Sequence, residues 1–600
     1  MKMVYHNTLQ KTEEYQSAFG GYNRTDNCSE LEFYDMKNMT SDLFPILSPR
    51  KKRLALNLAG EKTKAIIAKD KLCHVADETF YIDNVPVQDL KVEPMYDESG
   101  AEIPIRLASM GAYVLIIPQK LYVNTIKPEE HGTVQKTLTL PAVMYLCDKD
   151  GHKIFDAGKY PEDTETGEEY GYYVGKNDAG EPILMKKVDE NWIESEFYFG
   201  ISNIYCKYFP QEFKEADYSI FPPGTNVVLS NFGELNLDGI KKVETILYGA
   251  DSNDNYDVIV FKGYIPHNWN GKLGNGDQKI SSVMPNMDYM VESGNRLWGC
   301  RYGLDLNGEF VNQIYASSLG DFTIWEDYKA TASSSYSASV GSDGPFTAAA
   351  RYDDKPIFFK ENCFHRVYGS LPENYQIQLY HNDGVQKGSE KSIAVVENIL
   401  FYKGVNGFYA YDGTVPQMIS EKLGNERLYN AVGGACNQKY YASAKDKDGK
   451  SVLYAYDVWK SLWHKEDDTE LIDCTDRGDD LFCLSKKGDF VISSFENDVE
   501  NDLSWYAETG IIGKSTPDKK VVQRLKIRAD LEPAAMVQVM IEYDSSGNYE
   551  PIFFMEGRLM QSYSIPIRIH RCDHFRILFM GRGPAKIYSL SKVLVKKGDR

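Results

Sequence analysis

The 600-residue sequence lacks any long apolar run. The longest stretch, Tyr113–Ile117, is far shorter than the roughly 20 residues that a membrane-spanning helix needs. Residues 1–7 also lack the apolar segment of a signal peptide. We therefore predict no membrane span, and we expect the chain to be made and folded in a reducing cytoplasm.

Closely spaced cysteines are also missing. The ten cysteines are scattered along the chain, and no two have the Cys-x-x-Cys spacing typical of compact zinc sites or redox motifs. This scatter predicts that they are small buried side chains in the core.

Positive charge is scarce. The 67 Lys and Arg residues face 87 Asp and Glu residues, which gives a formal net charge of −20. Stable binding to DNA or RNA requires clustered Lys and Arg, so this class of function is disfavoured. An acidic surface would instead repel DNA and let it slide past. The short basic run Arg50-Lys51-Lys52-Arg53 is interpreted as solvated surface.

Local catalytic motifs are absent. There is no Gly-x-Ser-x-Gly and no phosphate-binding Gly-x-x-x-x-Gly-Lys sequence. Adjacent carboxylates such as Asp353-Asp354 fall in predicted turns, where water is the expected partner. A glycosidase pair stays open, because its carboxylates meet only in three dimensions. We predict no enzymatic activity, no catalytic or cofactor-binding residues, and no cofactor.

One cluster of metal-ligating residue types stands out near the end of the chain. His570, Cys572 and His574 share one face if this segment is a strand, so they could converge on Zn²⁺. The alternative is two exposed histidines beside a packed cysteine. No second ligand cluster accompanies the three, so this alternative is favoured.

Aromatic residues are abundant, with 42 Tyr, 27 Phe and 7 Trp, and they recur with a period of about 40 residues. The segment 408–412 (FYAYD) returns at 453–457 (LYAYD), 45 positions later. Paired apolar clusters keep a similar spacing: Leu297-Trp298, Phe358-Phe359, Phe401-Tyr402, Tyr440-Tyr441 and Leu481-Phe482. Such a period with several strands per unit is typical of β-propeller blades. A propeller is a rigid disc with a central channel, so it suits a scaffold or conduit as well as an enzyme.

No segment has a useful helical period, which predicts an all-β protein. We predict a β-propeller of six to eight blades with an inserted β domain and a C-terminal β-sandwich. The expected divisions are an extended arm and first strands at 1–60, first blades at 61–130, the inserted domain at 131–272, main blades at 273–503, and the sandwich at 504–600. The small-residue stretch 333–340 is interpreted as a polar, flexible loop between blades.

Several motifs in order resemble one family. They are residues 295–299 (NRLWG), 314–317 (IYAS), 319–325 (LGDFTIW), 358–361 (FFKE), 388–389 (GS) and 407–413 (GFYAYDG), with 44–50 (FPILSPR) before them and 505–510 (WYAETG) after. This order resembles the β-propeller tail proteins of tailed bacteriophages. That group includes packaged-DNA stabilisation proteins and tail nozzle or hub proteins of short-tailed phages.

The resemblance implies a structural virion protein of the phage tail, made in the host bacterial cytoplasm. Members assemble as a homo-oligomeric ring, often a hexamer, below the portal and head-to-tail adaptor. Their joined channels pass double-stranded DNA and help to retain it, and tail fibre or tip proteins attach elsewhere. Two alternatives stay open from the residues alone: a tail-associated propeller that binds or degrades carbohydrate, and an intracellular propeller scaffold.

Overall fold

The computed structural model describes residues 10–596 apart from 98, 142, 157–158, 203–217, 250–256, 270–277, 307, 515–518 and 569. The described chain is almost entirely β-structure, and its α-helix, α1 (Thr164–Gly167), is a single turn. None of the described helices is long and apolar enough to cross a membrane. The prediction of an all-β fold is confirmed.

Five short strands occupy the N-terminal segment. They are β1 (Gln10–Gln16), β2 (Phe33–Lys37), β3 (Met39–Thr40), β4 (Ser48–Pro49) and β5 (Leu54–Ala55). Strands β3 and β4 pair with each other, while β1, β2 and β5 each join a sheet formed by much later residues.

Seven antiparallel four-stranded sheets form the blades of the propeller in the described chain. Blade 1 contains β6 (Thr63–Ala68), β7 (Leu72–Ala76), β8 (Thr79–Ile82) and β9 (Val85–Lys91). Blade 2 contains β10 (Arg106–Met110), β11 (Tyr113–Ile117), β12 (Leu121–Asn124) and β13 (His131–Thr133).

An inserted domain separates blades 2 and 3. Its strands are β14 (Thr137–Leu140), β15 (Val143–Cys147), β16 (Tyr172–Lys176), β17 (Pro182–Val188), β18 (Asn191–Ser195), β19 (Tyr198–Ser202), β20 (Asn226–Ser230), β21 (Gly239–Leu247), β22 (Val258–Lys262) and β23 (Gln278–Ser282). Seven of them form one sheet in the order β14-β23-β20-β21-β22-β19-β15, and β16–β18 form a second. The edges of the larger sheet, β14 and β15, are consecutive in the chain, so this sheet curls back on itself around its own core.

The remaining blades follow one another without interruption. Blade 3 contains β24 (Tyr289–Ser293), β25 (Arg296–Leu304), β26 (Phe310–Ala316) and β27 (Tyr336–Ser339); blade 4 contains β28 (Ala348–Tyr352), β29 (Lys355–Phe359), β30 (Phe364–Tyr368) and β31 (Gln376–Tyr380). Blade 5 contains β32 (Ala394–Val396), β33 (Ile399–Lys403), β34 (Phe408–Tyr411) and β35 (Gln417–Met418); blade 6 contains β36 (Tyr429–Cys436), β37 (Lys439–Lys445), β38 (Ser451–Asp457) and β39 (Leu462–Asp467). Blade 7 combines β40 (Leu471–Arg477), β41 (Asp480–Ser485) and β42 (Phe490–Ser493) with the N-terminal strand β5.

The periodic aromatic clusters of the sequence occupy equivalent places in the blades. All five apolar pairs lie on the second strand of their blade, from β25 in blade 3 to β41 in blade 7. The FYAYD segment starts at the first residue of β34, the third strand of blade 5. The LYAYD segment lies within β38, the third strand of blade 6. Flat rings on these strands fill the space between neighbouring sheets, as in the pairs Phe359–Tyr402 and Phe401–Tyr440.

Two sets of contacts close the ring. The N-terminal strand β5 pairs with β42 through Ala55 and Leu54, which face Phe490 and Val491. On the inner side, strand β40 of blade 7 contacts strand β6 of blade 1, where the Thr475 hydroxyl accepts the Ala68 amide at 2.8 Å. The ring is therefore closed by residues from both ends of the propeller sequence.

The C-terminal strands form a β-sandwich, as predicted. They are β43 (Ser504–Thr509), β44 (Lys520–Leu531), β45 (Met536–Tyr543), β46 (Tyr549–Glu556), β47 (Gln561–Pro566), β48 (Arg571–Cys572), β49 (Phe575–Arg582) and β50 (Ala585–Lys596). One sheet has the order β1-β50-β44-β47, with β48 also paired to β44, and the other has the order β2-β43-β49-β45-β46. On β44, Leu525 and Ile527 are buried while Arg524 and Lys526 are exposed, in the alternation that the sequence predicts.

The N-terminal segment joins the sandwich to the propeller. One continuous core contains Phe19 and Phe33 from this segment, Trp463 from blade 6 and Trp505 from the sandwich. The Tyr22 amide donates to the Trp463 carbonyl at 2.6 Å. Disc and sandwich are thus packed as one body on this side.

Candidate functional site

Five polar residues gather at one end of the propeller axis. Arg106 and Tyr289 begin β10 and β24, the first strands of blades 2 and 3, which are the inner strands of these blades. Glu390 and Lys391 lie on the 3-10 turn Glu390–Ser392, directly before the inner strand of blade 5, and Asp473 lies on the inner strand of blade 7. Propeller inner strands surround the axis, so these side chains reach the same central space from four blades.

An ion pair spans this space. The Arg106 Nη2 atom lies 3.2 Å from Glu390 Oε1. The Arg106 guanidinium also stacks on the Tyr289 ring, 4.6 Å from its centroid. Blades 2 and 5 are three positions apart, the largest separation that a ring of seven allows. The pair therefore connects opposite sides of the disc and closes this end of the axis.

A second ion pair lies beside the first. Lys391 Nζ is 3.0 Å from Asp473 Oδ2 and donates to the Ile472 carbonyl at 3.2 Å. Asp473 Oδ2 also accepts the Ile66 amide of blade 1 at 3.4 Å. Asp473 therefore links three blades, and both carboxylates of the cluster already have a cationic partner.

The cluster is half-buried, and this burial changes the pKa of Tyr289. Burial raises the pKa of Tyr289, and the negative charge of Glu390 raises it further, so the phenol stays protonated at neutral pH. The site thus offers two paired carboxylates, a guanidinium, an ammonium and a neutral phenol. Such a set can hold a polar, uncharged ligand by exchanging hydrogen bonds. No group of three metal-ligating side chains occurs among the described residues.

A second charged cluster lies where the N-terminal segment meets blades 6 and 7. Arg53 contacts Glu466 at 2.5 Å and Asp467 at 2.8 Å, and its guanidinium stacks on Phe490, 4.6 Å from the ring centroid. Only 11% of the Arg53 side chain is exposed. The interpretation of residues 50–53 as solvated surface is therefore wrong for Arg53, because its partners come from more than 400 positions away.

Further ion pairs fix the same segment on blade 6. Lys439 Nζ donates to the Thr40 hydroxyl at 2.7 Å and pairs with Asp42. Asp457 accepts the Ser41 hydroxyl at 2.6 Å. Burial alone would raise the pKa of Asp42, but Lys439 outweighs it and holds that pKa below its ordinary value. Thr40, Asp42, Lys439 and Asp457 line a polar cavity of about 200 Å³. We infer that these contacts hold the N-terminal segment on blade 6.

The serine-rich stretch 333–340 is not a flexible loop. Ser334 and Ser335 are buried, and Tyr336–Ser339 form the outer strand of blade 3. Arg296, 1% exposed, donates to the carbonyls of Ser317 at 2.9 Å and Ala332 at 2.5 Å, and also to that of Ser334. The buried guanidinium satisfies carbonyls at the start of this stretch, and Tyr336 and Val340 pack against the neighbouring hydrophobic core.

The three metal candidates of the sequence have separate environments. The His570 ring stacks on Tyr543 with centroids 4.3 Å apart, and Cys572 is buried and donates to the Lys520 carbonyl. His574 contacts the Ser545 hydroxyl at 2.7 Å through Nε2 and Asp573 through Nδ1. The structure does not bring the three together as ligands of one ion.

Sequence reasoning did not identify the axial cluster. Its members lie between positions 106 and 473 and belong to no local motif. What the members share is their position, because Arg106 and Tyr289 each begin the first strand of a blade and Glu390-Lys391 precede one. Residues at that point of a blade face the axis whatever their separation in sequence.

The comparisons with known proteins concern the fold. No family model and no curated protein matches the chain. Among solved structures, it is similar to an exo-β-1,3-galactanase from Phanerochaete chrysosporium, at 9% identity over 53% of this chain and 97% of that one, with a TM-score of 0.21. It is also similar to the β-propeller domain of the Trilobed protease from Pyrococcus furiosus, at 9% identity over 53% and 92%, with a TM-score of 0.24. A sialidase from Trypanosoma rangeli matches at 10% identity over 84% and 94%, with a TM-score of 0.20.

These similarities change one expectation. The prediction that this protein is not an enzyme does not stand, because the similar structures include a galactanase and a sialidase. At these identities and TM-scores the likeness itself assigns no activity to this chain.

Proposed function

We propose that this protein is a structural component of a phage tail, one unit of a ring of identical copies below the portal and adaptor. The motif order along the chain supports the tail family. The observation that carries the structural role is the fastening of disc and sandwich by one N-terminal segment. Strands β1 and β2 complete the two sandwich sheets, and β5 completes blade 7, so these parts form one rigid body. A rigid unit suits the wall of a channel that holds packaged DNA.

In this proposal the DNA path lies between copies and not through the disc of one chain. The Arg106–Glu390 pair closes the axis of each propeller. A DNA duplex, whose major groove alone is about 12 Å wide, cannot pass a point where two side chains are in contact. The ring itself must therefore provide the lumen.

The charge of the chain supports this arrangement. Each copy has a formal charge of −20. A ring of such copies repels the phosphate backbone and offers few Lys and Arg side chains to replace the counterions of DNA. DNA in such a lumen is confined without being bound, so it remains free to move during ejection.

The test is assembly of the purified full-length protein, alone and with the adaptor encoded in the same genome. Mass photometry and electron cryomicroscopy should show a closed ring with a wide lumen between subunits. An axial variant, Arg106→Met with Glu390→Met, serves as the control and should still form the ring, because the axis is not the DNA path. Monomers alone, even with the adaptor present, would contradict the proposal.

A second candidate function is carbohydrate binding or cleavage at the axial cluster. One observation favours it: Glu390 and Asp473 lie at the same end of the axis, beside Arg106 and Tyr289. Glycoside hydrolysis uses two carboxylates that flank the scissile bond. Here both carboxylates would have to exchange their cationic partners for a sugar.

This candidate is tested with polysaccharide purified from the surface of the host. Glu390→Gln and Asp473→Asn should each abolish cleavage or binding, whereas Glu373→Gln, at an exposed carboxylate outside the cluster, should not. Absence of both cleavage and calorimetric binding by the wild-type protein would eliminate the candidate.

A further inference from the structure

Two cysteines face each other in the blade that closes the propeller. Cys474 on β40 and Cys483 on β41 are directly opposite in the strand register, and their sulfur atoms are 3.6 Å apart. All nine described cysteines are free thiols.

The hairpin geometry shows that this position is suited to a disulfide. Strands β40 and β41 are joined by a two-residue turn, Gly478-Asp479, flanked by the facing residues Arg477 and Asp480. Residues that flank such a turn form a hydrogen-bonded pair, and the pair types alternate along the ladder. Counting back from the turn, Cys474–Cys483 is a non-hydrogen-bonded pair. Cα atoms in such pairs are about 4.5 Å apart, within the range that disulfides span.

We propose that Cys474 and Cys483 form a reversible cross-strand disulfide when the protein meets an oxidising environment. This inference goes beyond the proposed function and does not depend on it. The oxidant is a low-molecular-weight disulfide such as oxidised glutathione. Cys474 is the entry point, because its residue is partly exposed while Cys483 is fully buried.

The reaction has two thiol–disulfide exchange steps. The Cys474 thiolate attacks one sulfur of the small disulfide, which forms a mixed disulfide and releases one small thiolate. The Cys483 thiolate then attacks Cys474 Sγ, which forms the protein disulfide and releases the second small thiolate. The two protein thiols lose two protons and two electrons, and these electrons reduce the small disulfide to two thiols.

The environment of the pair sets the rate of this reaction. The hydrogen bond with Cys483 raises the pKa of Cys474, and burial raises it further. Exchange requires the thiolate, so the reaction should be slow at neutral pH and faster in alkaline buffer. In a reducing cytoplasm the pair stays a dithiol during folding.

The bond would act on the closing blade. Strand β40 carries Asp473 and Thr475, whose side chains accept backbone amides of blade 1. A covalent link between β40 and β41 restrains this inner strand where the ring is closed. We therefore expect oxidation to raise the melting temperature.

The test uses the full-length protein, incubated with oxidised glutathione in alkaline buffer, quenched with acid, unfolded, alkylated and digested for mass spectrometry. The expected product is a peptide pair linked through Cys474 and Cys483 and lighter by two hydrogens than the reduced form. The same sample should melt at a higher temperature than the reduced protein, and dithiothreitol should reverse both changes.

Two variants distinguish the proposed route. In Cys483→Ser, Cys474 should keep a glutathione adduct because no neighbouring thiol resolves it, and oxidation should no longer raise the melting temperature. In Cys474→Ser, the buried Cys483 should remain unmodified. Full alkylation of both cysteines after oxidation of the wild-type protein, or a bridge from either of them to Cys436, would overturn the proposal.

Discussion

The fastening of the N-terminal segment depends most on Arg53. Its guanidinium lies between Glu466 and Asp467 on the last strand of blade 6, donates to the Thr469 hydroxyl at 3.2 Å, and covers the ring of Phe490 on blade 7. The next residue, Leu54, begins the strand that completes blade 7. We predict that Arg53→Met, which keeps the length of the side chain but removes its charge, releases this strand.

The magnitude follows from the burial of the partners. Only 6% of the Glu466 side chain and 12% of the Asp467 side chain are exposed. Removal of one member of a buried ion pair leaves the other charge uncompensated and typically costs about 3–5 kcal/mol. Whole domains are stable by only about 5–15 kcal/mol, so this loss would be large. Burial alone would raise the pKa of Asp467, and Arg53 outweighs it, so the variant should also raise this pKa.

The assay is hydrogen exchange with scanning calorimetry, because a chain of several domains need not unfold in two states. In Arg53→Met, amides of β42 that face β5 should lose protection first, and the propeller should melt earlier. Lys52→Met, at an exposed neighbouring position, is the control and should change stability by less than about 0.5 kcal/mol. Unchanged protection of β42 in Arg53→Met would refute the reasoning.

Three further predictions concern other contacts. Gly21→Ala should weaken the contact with blade 6 and lower the melting temperature, because the added methyl would lie 2.4 Å from the Trp463 carbonyl oxygen; Gly233→Ala, where a methyl meets nothing within 4 Å, should not. Arg106→Met and Glu390→Gln should each cost about 1–3 kcal/mol in calorimetry, and the double variant should cost less than their sum, since neither partner is left alone; additive losses would contradict the pairing. Burial lowers the pKa of His464 to about 3, whereas its value in the unfolded state is about 6.5. Between these pH values the unfolded state binds a proton that the folded state does not, so the free energy of unfolding should decrease as the pH is lowered. Compared with His464→Gln, the wild-type protein should lose up to about 1.4 kcal/mol more per pH unit below 6.5; equal slopes would show that His464 does not titrate in this way.

The fold was predictable because each blade repeats one physical requirement. The second strand of a blade is covered on both faces, so it carries large apolar pairs such as Phe401-Tyr402 and Tyr440-Tyr441. The spacing of these pairs along the sequence therefore equals the number of residues in one blade. The strand that closes the ring could not be identified, because β5 has only two residues and both are exposed.

The axial cluster and the ion pairs of Arg53 could not be predicted from the sequence. Their energies come from pairs such as Arg106–Glu390 and Arg53–Glu466, which are hundreds of residues apart. A local run of like charges is usually solvated, and only the three-dimensional partner reverses that interpretation. The serine-rich stretch was misread similarly, because the residue that orders it is Arg296.

The pairing of β1 with β50 in the sandwich has a consequence for how the protein is made. Gln10 faces Lys596 across β1 and β50, so β1 cannot find its partner until the ribosome has produced β50. At about 5–20 residues per second, the nascent chain carries this unpaired strand for roughly half a minute to two minutes. Phe19 and Phe33, buried in the finished core, are then exposed. We expect chaperones to hold this segment during translation. A truncation that removes β50 should leave β1 and β44 without their shared partner and prone to aggregation.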